Sequence, residues 1–179
     1  MNLVKLFDMQ RVLDQRIIDK HPELKNQNNL EWKVLALQVE LGECANEWRG
    51  FKKWSNDQKP RLEGSRGAKD FLGAPIIEYY NPLLEEYVDC LHFILSIGLE
   101  KGYVIKEINP TKRNTISNQF NWLFDKVGDF YSVMNLDNYR WIFDIFVGLG
   151  EMLGFTWEQV EQAYFEKNAI NHNRQQSGY

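Results

Sequence analysis

Apolar residues recur along most of the chain in steps of three and four, the spacing of one helix face. Leu6, Met9, Leu13 and Ile17 mark a first helix over residues 3–18. Leu30, Val34, Leu37, Leu41, Cys44, Trp48 and Phe51 form the stripe of a second, over 30–51. Residues 55–81 break the pattern with Gly, Pro and charge, and read as a long flexible loop. Asn81-Pro82 then opens a third helix, Asn as the cap and Pro in the first turn, running to about residue 100 with Gly102 as its stop. Further helices are expected at 114–134, at 137–153 with Asp137 as the cap, and at 157–174. The last has Thr156 as its cap and Gln159 placed for a capping box. No segment reads as a strand and no repeat is visible. The fold class expected is all-α, a bundle of five or six helices in one domain spanning 1–179.

Composition narrows the function classes. Hydrophobic residues at 44% and charged residues at 26% fit a globular chain. The net charge of −4 disfavours a nucleic-acid groove, and a polyanionic ligand would need positive charge from elsewhere, such as a metal. Two cysteines, Cys44 and Cys90, build no disulfide framework or zinc site and read as reduced thiols in a cytoplasmic protein. No apolar stretch reads as a membrane span or a secretory signal.

Glu40, Glu43 and Glu47 share one face of the second helix, beside its apolar stripe. Glu86 and Asp89 sit three apart in a third helix that is apolar on nearly every side. A buried carboxylate needs a partner or a metal, and few Lys or Arg lie nearby in sequence. Two acidic pairs on helices joined by one connection can face each other and make a hard-cation site for Mg²⁺ or Mn²⁺. The bland alternative is a solvated acidic face at the edge of the core. Asp89-x-x-His92 resembles half of a di-iron motif, but His21 and His172 complete no second half, so His92 is expected to be a hydrogen-bonded core histidine. Tyr164, Lys167, Asn171 and Arg174 share a face of the last helix; Lys and Arg there suit phosphate, or simply the helix C-terminus. Gln10 and Asp14 share a face of the first. Gly148-x-Gly150 lacks the spacing and the preceding strand of a dinucleotide fingerprint.

Glu40-x-x-Glu43 followed by Glu86-x-x-Asp89 resembles the all-α nucleoside triphosphate pyrophosphatases, the group of MazG-type enzymes and dimeric dUTPases. Lys167-x-x-x-Asn171-x-x-Arg174 and the strings Glu47-Trp48-Arg49-x-Phe51-Lys52-x-Trp54 and Leu84-Glu85-Glu86-Tyr87-Val88-Asp89 are similar to the dimeric dUTPases of phages and Gram-positive bacteria. The resemblance implies Mg²⁺-dependent hydrolysis of dUTP, with dUDP also accepted, to dUMP and pyrophosphate. It implies Glu40, Glu43, Glu86 and Asp89 as metal ligands, with Glu40 or Glu43 also orienting or deprotonating the attacking water. Lys167 and Arg174 would meet phosphates; Asn171, Gln10, Trp54 and also Asp14 would meet uracil or deoxyribose. A homodimer is implied, and some phage members are implicated in binding a repressor protein. Lys59, Arg61, Arg66 and Lys69 of the 55–81 segment are placed to meet phosphate or a partner subunit. Another base preference, such as dCTP, and a non-catalytic helical interaction module are the competing readings.

Overall fold

The computed structural model describes residues 2–69 and 73–178, without the side chain of Lys69. Six helices carry the described chain: α1 (Leu3–Lys20), α2 (Leu30–Trp48), α3 (Pro82–Lys101), α4 (Ile116–Ser132), α5 (Leu136–Leu153) and α6 (Trp157–Ser177). A 3-10 turn (Pro22–Asn26) joins α1 to α2. The helices start and stop where local chemistry says they should. Asn81 accepts from the Leu84 amide at 3.0 Å, and Gly102 ends α3 at φ 70°. Thr156 and Gln159 close a reciprocal capping box on α6.

Three expectations need correction. The second helix ends at Trp48, because Arg49 turns left-handed at φ 62°. Its guanidinium donates to the carbonyl of Asp57 at 3.0 and 3.2 Å and holds that uncommon conformation. The cap of α5 is Asn135, which accepts from the Asn138 amide at 2.8 Å; Asp137 instead lies in the first turn, where the helix dipole favours its charge. The stretch 55–81 holds an antiparallel hairpin, β1 (Gly64–Lys69) with β2 (Pro75–Tyr80). Neither strand enters the core, so no alternation of apolar residues announces it. A two-stranded hairpin is marginal alone. This one is tied down by Arg66, whose guanidinium bonds Glu78 across the strands, stacks over Tyr80 at 4.4 Å and reaches Glu85 on α3.

The centre of the bundle is α3, which packs against α1, α2, α5 and α6. Two tyrosines lock it to α5 reciprocally. Tyr87 of α3 donates to the carbonyl of Phe146 at 3.0 Å, stacks on that ring at 4.2 Å and lies over Gly150. Tyr139 of α5 donates to the carbonyl of Ile94 at 2.8 Å and lies over Gly98. Each phenol is fully buried with its hydroxyl satisfied, and each glycine opens the space its ring fills. The Gly148-x-Gly150 pair is therefore a packing device: a Cβ on Gly148 would press into the backbone of Thr111.

A Cβ on Gly98 would collide with the Tyr139 hydroxyl and stand 2.7 Å from the carbonyl of Tyr103. Gly98→Ala should cost on the order of 1–3 kcal/mol. Gly128 of α4 has open space at its Cβ position. Gly128→Ala should leave stability level or raise it by about 0.5–1 kcal/mol. Urea unfolding of both variants checks the pair, and equal effects would contradict the interlock.

Candidate functional site

Packing of α2 along α3 carries the acidic faces together. One carboxylate oxygen from each of Glu40, Glu43 and Glu86 lies within 4.8 Å of the others. Burial, then the nearby charges of Asp89 and Glu43, pushes Glu40 up to about 7. Burial, then Asp89, Glu43 and Glu40, pushes Glu86 up to about 8. These are carboxylates that resist ionising together without a cation among them. The donor set, hard oxygens from short acidic side chains at the edge of a core, fits Mg²⁺ or Mn²⁺.

Asp89, the fourth acidic residue, is engaged differently. Lys167 of α6 donates to its Oδ2 at 2.5 Å and to Glu85 Oε1 at 2.9 Å. The expectation that few cations lie near the α3 carboxylates fails here, because the partner comes from a helix 78 residues on. Burial still holds the Asp89 carboxyl above its usual range, against the pull of Lys167. Glu85 is held below its own range: burial is outweighed by bonds from Lys167 and Arg66.

Beside the acidic cluster a cavity of about 470 Å³ opens between α1, α2, α3 and α6. Glu40 and Asp89 border it, together with Gln10, Asp14, Lys167, Asn171 and Arg174. Seven of the residues expected to carry function thus share one wall system, with Glu43 and Glu86 in the adjoining cluster. Trp54 is not among them: it is 78% exposed and packs edge-on against Phe51 at 5.8 Å. Arg61 and Arg66 are also committed elsewhere, to Glu47 at 3.0 Å and to Glu78 and Glu85 at 2.9 Å. Lys59 is exposed, and the side chain of Lys69 lies outside the described residues.

The floor of the cavity is an ordered polar network. His92 is a buried core histidine, stacked on Tyr164 at 4.2 Å, and burial drives it down to about 3, so it is neutral. Its Nδ1 donates to Gln10 Oε1 at 2.8 Å, and the Tyr164 hydroxyl donates to the same oxygen at 2.9 Å. Gln10 Nε2 in turn donates to Asp14 at 2.7 Å, and Ser96 donates to the other Asp14 oxygen at 2.7 Å. Lys33 completes the wall, bonded to Glu100 at 2.7 Å. Lys33 and Ser96 escaped the sequence reading. Each lies seven residues from a flagged carboxylate, Lys33 before Glu40 and Ser96 after Asp89, which is two turns along the same face. Trp32 and Asn29 also line the cavity, and the Trp32 indole donates to Asn29 at 3.1 Å.

Comparison with known proteins follows the same residues. No curated protein is a significant match to the chain. A family model described as dUTPase matches residues 2–67 and 78–179. It passes over 68–77, which include the end of β1 and the start of β2, and takes in both acidic pairs and the basic face of α6. That match decides for an enzyme over a non-catalytic interaction module, and the chain belongs to the all-α dimeric dUTPase family, a dUTP diphosphatase that hydrolyses dUTP.

Proposed function

We propose that the chain is one catalytic domain that hydrolyses dUTP, and also dUDP, with Mg²⁺ held by Glu40, Glu43, Glu86 and Asp89. The observation that carries this reading is the convergence of Glu40, Glu43 and Glu86 within 4.8 Å beside the cavity. A bound divalent cation supplies polarised phosphoryl oxygens and a water that ionises near neutral pH. The chain's own residues do the rest. Glu40 or Glu43 orients or deprotonates the attacking water, and Lys167 and Arg174 face the phosphates. Asn171, Gln10 and Asp14 meet the nucleoside; the Gln10 orientation is preset by His92, Tyr164 and Asp14. Trp54, exposed on the turn after α2 and outside the cavity lining, is the remaining residue proposed to meet the nucleoside. Buried reduced Cys44 and Cys90 support a cytoplasmic setting. Among the described residues no helix is long and apolar enough to cross a membrane.

The raised carboxyls set the sign of a pH effect. Glu40 and Glu86 bind their protons more tightly in the fold, at about 7 and 8, than at their ordinary value of 4.5. The stability they lend is present below about pH 4.5 and is lost as pH rises through 7 and 8. The metal-free protein should therefore melt lower at pH 8 than at pH 5, and Mg²⁺ should restore the loss. Glu43→Gln should leave metal-free Tm at pH 8 level or higher while lowering turnover by on the order of a thousandfold. A variant with near-normal pyrophosphate release would defeat the metal assignment.

Base selectivity follows from a confined pocket with fixed amides. Turnover with Mg²⁺ should favour dUTP over dCTP and dTTP, with dUDP also consumed. Comparable rates on dCTP would move the reading to another base.

A homodimer completes the proposal. Tyr139, Phe143 and Phe146 of α5 are spent in the core. Apolar surface lies instead on α2, where Leu35 (61% exposed) lines a groove with Trp32 and Tyr131 and Val39 is 49% exposed. Light scattering should report a dimer at micromolar concentration and a monomer for Leu35→Glu.

A further inference from the structure

Lys167 is shared between two carboxylates with different prospects. Asp89 belongs to the proposed metal set, whereas Glu85 faces the hairpin side of α3 and lines a separate shallow pocket with Arg66 and Tyr80. The Lys167 ammonium has three protons; one reaches Asp89 at 2.5 Å and one reaches Glu85 at 2.9 Å. Arg66 Nη1 donates to both Glu85 oxygens, at 3.0 and 2.9 Å, and so competes for the acceptor that holds Lys167. Lys167, Glu85 and Asp89 side chains are only 10%, 17% and 16% exposed, so solvent screens these contacts weakly.

A chain of four charges therefore runs Arg66–Glu85–Lys167–Asp89, from the hairpin into the site. Asp89 is not part of the Glu40, Glu43 and Glu86 cluster within 4.8 Å, so joining a cation there turns it from its place on Lys167 and divides its charge between the two. How much that costs depends on how firmly another anion keeps the ammonium satisfied, because a buried unpaired charge is expensive. We infer that Glu85 is a positioning residue: it retains Lys167 at the cavity wall when Asp89 turns to a divalent cation, and Arg66 sets the strength of that hold. The inference rests on the proposed metal reading. Its distinctive content is the direction of each coupling. Without Glu85, Lys167 falls back on Asp89 alone and competes harder with the metal. Without Arg66, Glu85 is freed for Lys167 and Asp89 is released more easily.

Calorimetric titration of nucleotide-free protein with Mg²⁺ or Mn²⁺ tests this without reading turnover. Glu85→Gln should raise the metal Kd about tenfold, the scale of one hydrogen bond to a charged group. In a Lys167→Met background the same substitution should change Kd less than about twofold, since the double-mutant cycle removes the route through Lys167. Arg66→Gln, a partly exposed position, should lower Kd in the wild type and have no effect once Glu85 is Gln. If Glu85→Gln weakens binding by the same factor with and without Lys167, Glu85 acts as a distant charge and the inference is overturned. If Arg66→Gln and Glu85→Gln both weaken binding, the pair merely pins the hairpin and the inference is again overturned. A wild type that binds neither cation would instead remove the metal reading itself.

Discussion

Carboxylates cannot be gathered at the edge of an apolar core without cost, and the organisation of this protein turns on how that cost is met. Glu40, Glu43 and Glu86 converge where burial and nearby negative charges lift two of them to about 7 and 8. Burial raises Asp89 as well, but there the bond from Lys167 pulls against it. Among the described residues the cluster is thus divided into a triad that makes no ion pair and feels Lys167 only as a nearby charge, and a fourth carboxylate bonded to it. In the proposed reading, this division leaves the triad to a hard cation.

The fold supplies the stiffness this needs. Mutual repulsion would push α2 and α3 apart if α3 were free to move. It is instead clamped by two tyrosines, Tyr87 crossing from α3 to α5 and Tyr139 from α5 to α3, each hydroxyl bonded to a backbone carbonyl and each ring seated over a glycine. On its remaining flanks, α1 and α6 deliver Gln10, Tyr164 and Lys167, which bond to one another or to α3. Polar side chains aimed inward from three helices thus form a connected network around the cavity, with the buried Nε2 of His92 left without a hydrogen-bond partner.

Much of the site was legible because helices convert spacing into position. Steps of three and four put Glu40 with Glu43 and Glu86 with Asp89, and put Lys167, Asn171 and Arg174 on one face. Lys33 and Ser96 were equally accessible by that rule, two turns from their flagged neighbours, but neither residue type stands out on a helix. Trp54 was named on resemblance alone, and no periodicity constrains a residue on a turn. The hairpin stayed hidden because its strands bury nothing, and cross-strand pairing of Arg66 with Glu78 leaves no pattern along the chain.

The sequence by itself determined the helices, the caps at Asn81 and Thr156 and the two acidic pairs, since each depends on residues within one or two turns. Tertiary structure alone decided that Lys167 would reach across from α6 to Asp89 and Glu85. It also decided that Arg66 would bring the hairpin into the same chain of charges, and that Tyr87 and Tyr139 would trade places over Gly150 and Gly98. The physical reason is range. Capping and facial periodicity are settled by neighbours along the chain, whereas the partner of a buried charge is whatever group close packing delivers to it.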